Sequence, residues 1–165
     1  MQLTHYNTTF NKRKFPITLV CDNVTNAANV GSLFRTADAF GIEKLILCGE
    51  VSVGRKVTKT SRSTEKSVPF EIQNSAINVV EDLKLKGYRI IAVEITETSK
   101  PIHSFHFSLE TPIAFVVGDE IFGVSEPVLN LSDEVIHIEM FGENSSMNVA
   151  QATNIALYEL TKQSL

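Results

Sequence analysis

Five short runs along the chain are dense in Val, Ile, Leu and Phe: residues 16–21 (PITLVC), 43–48 (EKLILC), 88–95 (YRIIAVEI), 112–118 (PIAFVVG) and 134–140 (EVIHIEM). Runs of this length and composition predict five or six strands, most of them buried on both faces. Between them the apolar spacing becomes helical, over about 29–40, 75–86, 124–130 and, at greater length, 147–163. Alternating strands and helices predict an α/β domain with a mostly parallel sheet and helices on both faces. Residues 54–70 (GRKVTKTSRSTEKSVPF) lack clear periodicity and predict a long loop, which inside a compact domain is usually functional.

In sheets of this kind ligands bind beyond the carboxyl ends of the strands. The loops after residues 21, 48, 95, 118 and 140 are therefore the places to look for chemistry. The first holds NAANVGSLFRTADAFG, residues 26–41. Asn29 is a candidate N-cap, and Val30, Leu33, Phe34 and Ala37 form one apolar stripe. At 100° per residue Arg35 falls about 140° from Val30, on the opposite face, open to solvent, a phosphate or a partner. The second is VVGDEIFGVSEPVL, where a strand ends in Gly118, Asp119 and Glu120, followed by Gly123. Glycines flanking an acid let backbone approach a ligand closely. The third is EMFGENSSMNVAQATNIALYEL, in which Ser145 or Ser146 is expected to cap a helix with Val149, Ala152, Ala156 and Leu160 on one face.

Composition narrows the class. The chain has 165 residues and 43% hydrophobic residues, which fits one domain over 1–165 with a short basic segment at 1–15. No apolar run approaches the roughly 18 residues of a membrane span, and a cytoplasmic place is expected. Cys21 and Cys48 lie in strand-like runs without metal-ligand spacing, so reduced, buried thiols are expected, and no metal. The net charge of −4 hides an asymmetry. Residues 1–70 carry ten Lys/Arg against five Asp/Glu, and residues 71–165 carry five against fourteen. A basic segment in an acidic chain fits one face meeting a polyanion. Lys12, Arg13, Lys14, Arg55, Lys56, Lys59, Arg62 and Lys66 are its candidate polyanion contacts, with Arg35.

The three loops, in this order and each after a strand, resemble the motifs of the SpoU (TrmH-like) branch of the SPOUT RNA methyltransferases. The first motif is matched by Asn29, Gly31, Arg35, Thr36 and Ala37, the second by Gly118, Glu120 and Gly123, and the third by Ser146, Met147, Asn148 and Val149. VEITETS (93–99) is similar to the family's segment before its cofactor loop. Ala150, Glu139 and Ile121 depart from the residues common there.

The resemblance implies a C-terminal deep trefoil knot and transfer of a methyl group from S-adenosylmethionine to a ribose 2′-hydroxyl of tRNA or rRNA, with tRNA favoured. It implies a cofactor held by Ile95, Thr96, Gly118, Glu120, Gly123, Ile138, Met140, Ser146, Met147 and Asn148. Arg35 would grip the adjacent phosphate and polarise the hydroxyl, or lose its proton only when so engaged, since a guanidinium is a poor base at neutral pH. Asn29 would orient Arg35 or the ribose, Glu120 would brace the site, and Ser146 with Asn148 would position substrate and cofactor. A homodimer through the first-motif and C-terminal helices would bring Arg35 to a site shared between subunits. The competing readings are a non-catalytic RNA-binding module of the same fold and a small-molecule α/β enzyme.

Overall fold

Strand β1 (Phe15–Asp22) lies inside the sheet, flanked by β2 (Ile42–Cys48) and by the central strand β6 (Ile113–Gly118). With β3 (Phe70–Gln73), β4 (Arg89–Val93), β5 (Lys100–Pro101) and β7 (Glu134–His137) these form one seven-stranded sheet, in the order β3-β2-β1-β6-β4-β7-β5. Every ladder in it is parallel. The helices are α1 (Ala27–Ala39), α2 (Arg55–Ser61), α3 (Ala76–Leu85), α4 (Glu126–Leu131) and α5 (Val149–Lys162). The computed structural model describes residues 2–4 and 6–165; Met1 and His5, both inside the expected basic segment, lie outside the described residues.

Side chains alternate across each strand and so build two cores. Ile17, Leu19 and Cys21 of β1, with Phe115 and Val117 of β6, pack under Val30, Leu33 and Phe34 of α1 and Ala156, Leu157 and Leu160 of α5. On the other face Val20, Ile46, Ala114 and Val116 pack under Val80 and Leu83 of α3 and Val128 of α4. Helices therefore cover both faces, as the alternation predicts. Both cysteines are free and buried. Burial pushes the Cys48 thiol up to about 12 and raises that of Cys21 as well.

The structure corrects several sequence expectations. Strands β3 and β5 sit at the two edges of the sheet; short, polar or proline-bearing edges carry no apolar run to find. The expected loop over 54–70 contains α2 and a 3₁₀ turn, Thr64–Lys66. Its periodicity is weak because α2 buries only Val57 and Ser61. This helix exists by packing on α1 at Gly31, where a Cβ would collide with Thr60 Oγ1 and lie 2.7 Å from Val57 O. The cap of α1 is Asn26, whose Oδ1 accepts from Ala28 N at 3.0 Å and Asn29 N at 3.2 Å, leaving Asn29 free for another role. The cap of α5 is Asn148, not Ser145 or Ser146: its Oδ1 accepts from Ala150 N at 3.0 Å and Gln151 N at 3.3 Å. No helix among the described residues is long and apolar enough to cross a membrane.

Candidate active site

The carboxyl ends of β4, β6 and β7 and the start of α5 enclose a cavity of about 410 Å³. Its first wall is the turn after β6, which three carboxylates hold in place. Asp119 Oδ1 accepts from Ile121 N at 2.8 Å and Phe122 N at 3.0 Å. Glu94 Oε2 accepts from Val124 N at 3.0 Å, while its Oε1 accepts from Ile95 N at 2.9 Å. Asp22, buried at the end of β1, accepts from Ser125 N at 2.9 Å and Ser125 Oγ at 2.6 Å. Two glycines make the fold of this turn possible. A Cβ on Gly118 would enter the backbone of Gly123 and Val124, and Gly123 has φ +68 with the Glu94 carboxylate against its Cα.

The second wall comes from the segment before α5. Ser146 N and Oγ both donate to Asn144 Oδ1 at 3.2 Å, and Ser145, Ser146 and Met147 face the cavity. Asn148 then joins all three sequence motifs. Because its oxygen is occupied by the helix cap, its amide nitrogen is free to donate. It donates to Glu120 Oε1 at 2.6 Å and to Asn29 Oδ1 at 3.0 Å. Val149 N adds a third bond to Glu120 Oε1, at 3.3 Å. A second link between the same helices lies further along them, where Thr36 Oγ1 donates to Asn154 Oδ1 at 2.8 Å.

Of the expected cofactor positions, all but Asn148 line this cavity; Asn148 holds Glu120, which does. The Oγ1 of Thr96 is buried in the wall with no hydrogen-bond partner. A hydroxyl left unsatisfied in an otherwise well-bonded interior is where a polar ligand atom fits. Asp22, Glu94 and Asp119 hold the turn, and none of them is among the residues expected to catalyse or to bind the cofactor. Each nevertheless stands at a telling place: Asp22 ends an apolar strand, Asp119 sits inside the glycine motif and Glu94 inside VEITETS.

Arg35 lies on the exposed side of α1, is not among the residues lining the cavity, and makes no hydrogen bond or ion pair among the described residues. Arg55, Lys56 and Lys59 on α2, with Arg62 and Lys66 beyond it, are likewise exposed and without side-chain partners there, as is Lys12. Arg62 and Ser63 occupy left-handed backbone, φ 51 and φ 69, at the end of this basic element. Arg13 and Lys14 are exposed too, but their side chains are tied to the rest of the fold. Arg13 donates to Ser164 O at 3.0 Å with its guanidinium 4.5 Å over the Phe15 ring, and Lys14 donates to Ile42 O at 3.3 Å.

Residues 16–158 match the SpoU rRNA Methylase family. The chain is 29% identical over 153 residues to a tRNA (guanosine(18)-2′-O)-methyltransferase of Aquifex aeolicus, covering 92% of this chain and 72% of that one. It is 34% identical over 151 residues to a 23S rRNA (guanosine-2′-O-)-methyltransferase of Blochmanniella floridana, covering 90% of this chain and 58% of that one, so it spans less than two thirds of that relative. A SpoU methyltransferase of Streptomyces viridochromogenes, solved in complex with the cofactor AdoMet, superposes with a TM-score of 0.79 at 25% identity, covering 93% of this chain and 62% of that one. A match that runs from the first strand into the last helix takes in the sheet, the glycine turn and the asparagine that ties them together, and by it this chain belongs to the SpoU rRNA methylase family.

Proposed function

We propose that this chain is an RNA (ribose-2′-O)-methyltransferase that uses S-adenosylmethionine and acts on tRNA in preference to rRNA. The observation that carries this reading is the hydrogen-bonded set Asn29, Asn148 and Glu120, assembled from three distant segments, with Glu120 in the cavity wall. A module that only bound RNA would need the basic face of α2 but not this set. A small-molecule enzyme would leave that face idle. Relatives that act on tRNA and on rRNA support RNA as the substrate class.

The cofactor would supply an electrophilic methyl group, held by the loops at 94–96, 118–124 and 138–147. The task of the protein is then alignment, which can supply much of the barrier reduction in a displacement reaction. Asn29 keeps its own amide nitrogen free to hold the ribose, because its oxygen is taken by Asn148. Arg35, a permanent cation, grips the neighbouring phosphate and polarises the 2′-hydroxyl. Glu120 Oε2 makes no hydrogen bond among the described residues and is open to receive the hydroxyl proton. Arg35 is not among the residues lining the cavity of its own protomer, so the reading includes a homodimer through α1 and α5 in which it serves the partner's site. It also includes the knotted C-terminal passage and a cytoplasmic location. Transfer of labelled methyl from S-adenosylmethionine to total tRNA and rRNA, followed by mapping of the modified nucleotide, tests the reading. Absence of label in both RNA pools, with the protein folded and dimeric, would sink it.

A further inference from the structure

The cavity is acidic. Glu94, Asp119 and Glu120 line it, no Lys or Arg does, and its one imidazole, His137, has Nδ1 2.9 Å from Ser99 Oγ. None of the three carboxylates has a cationic partner among the described residues. Each accepts only from neutral donors: Glu94 from the N–H of Ile95 and Val124, Asp119 from those of Ile121 and Phe122, and Glu120 from the Asn148 amide and the Val149 N–H. Such donors fix a carboxylate in place without cancelling its charge. An enzyme whose substrate is a polyanion thus carries a concentrated negative pocket, to whose lining no residue of the basic α2 contributes.

We infer that this cavity selects its cofactor by charge, the carboxylates of Glu94, Asp119 and Glu120 favouring the cationic sulfonium of S-adenosylmethionine over the neutral thioether S-adenosylhomocysteine. The inference rests on the proposed function. Both molecules carry the same zwitterionic amino-acid end, so only the sulfur distinguishes them. When the 2′-oxygen takes the methyl, the electron pair of the breaking C–S bond stays on sulfur and the sulfonium becomes a neutral thioether. The hydroxyl proton leaves separately, directly or by way of Glu120, to water, so all three carboxylates end charged. The three carboxylates then lose the cation they face, which favours release of the spent cofactor. Glu94 is the group to vary, because it comes from outside the glycine motif. Its glutamine replacement keeps an oxygen to accept from Val124 N or Ile95 N while removing the charge.

Calorimetric titration of the full chain with each compound tests this without turnover. The expected result is at least about tenfold tighter binding of S-adenosylmethionine than of S-adenosylhomocysteine, with Glu94→Gln, whatever it costs both ligands through the turn it holds, cutting that ratio by about tenfold. Equal affinities in the unaltered protein, or equal weakening of both ligands by Glu94→Gln, would overturn the inference and leave Glu94 a strut for the turn. Binding of neither compound would instead overturn the cofactor reading itself. If Glu94→Gln does not fold, an analogue of the thioether bearing an amine at the sulfur position decides the matter. Binding like the sulfonium supports charge selection, and binding like the thioether refutes it.

Discussion

Asn148 and Glu120 stand 28 positions apart in the chain and 2.6 Å apart in space, joined by the amide nitrogen of one and the carboxylate of the other. The same Asn148 caps α5 with its oxygen and reaches Asn29 with its nitrogen. One side chain therefore fixes the start of the last helix and the two polar groups in front of it. Replacing it separates these roles. Asn148→Ala is expected to lose the cap, about 1 kcal/mol of stability, and methyl transfer together. Asn148→Asp keeps the cap but sets a second carboxylate against Glu120, so transfer falls with less loss of melting temperature. Equal melting losses in the two variants would argue against the cap.

Arg35 has no structural employment to lose. Arg35→Ala is expected to leave the melting temperature and the S-adenosylmethionine affinity unchanged while lowering methyl transfer by about 100-fold or more. Weakened cofactor binding would count against its proposed place on phosphate and hydroxyl.

Gly31 is set by a close approach between helices. Gly31→Ala forces α2 away from α1, at an expected cost of about 1–3 kcal/mol, read in a denaturant titration. RNA affinity is expected to fall with it, because α2 carries Arg55, Lys56 and Lys59.

Lysines of α2 that meet phosphate displace counterions. The double change Lys56→Glu and Lys59→Glu should weaken binding of tRNA and rRNA alike, and should flatten the dependence of log affinity on log salt by about 0.7 to 0.9 for every phosphate that is no longer neutralised. An unchanged slope would place the RNA elsewhere on the surface.

Asp133 predicts an acid limb in stability. Burial would raise its pKa, but the Ile90 N–H at 2.8 Å and the Lys84 ammonium at 3.0 Å outweigh this and hold the carboxyl below its ordinary value. A carboxyl with a lower pKa in the folded state than in the unfolded state stabilises the fold above the unfolded value, near 4, and the contribution disappears as pH falls through the folded value. Thermal melts of Asp133→Asn should accordingly show a smaller drop between about pH 5 and pH 2 than the unaltered chain.

Much of the architecture is legible along the chain because central parallel strands are buried on both faces, and burial writes itself as apolar runs such as ITLV and IAFVV. The two edge strands and α2 are not, since little of either is buried and their pairing depends on neighbours distant in sequence. The true caps, Asn26 and Asn148, stand two or three positions from the candidates that spacing suggests, for a related reason. Several asparagines and serines near each helix start can accept the first N–H groups, and the turn geometry selects among them.

The site divides along the same line. From the sequence by itself come the sheet and helix alternation, the family motifs and the residue types at Asn29, Arg35, Glu120 and Asn148, because these depend on local spacing. Only the tertiary structure decided that Asn148 holds both Glu120 and Asn29, that Asp22 and Glu94 brace the glycine turn from other strands, and that three carboxylates share one cavity without a cation. Such relations join residues up to 119 positions apart, and no local pattern encodes which of many polar side chains the packing of a sheet brings within hydrogen-bond distance.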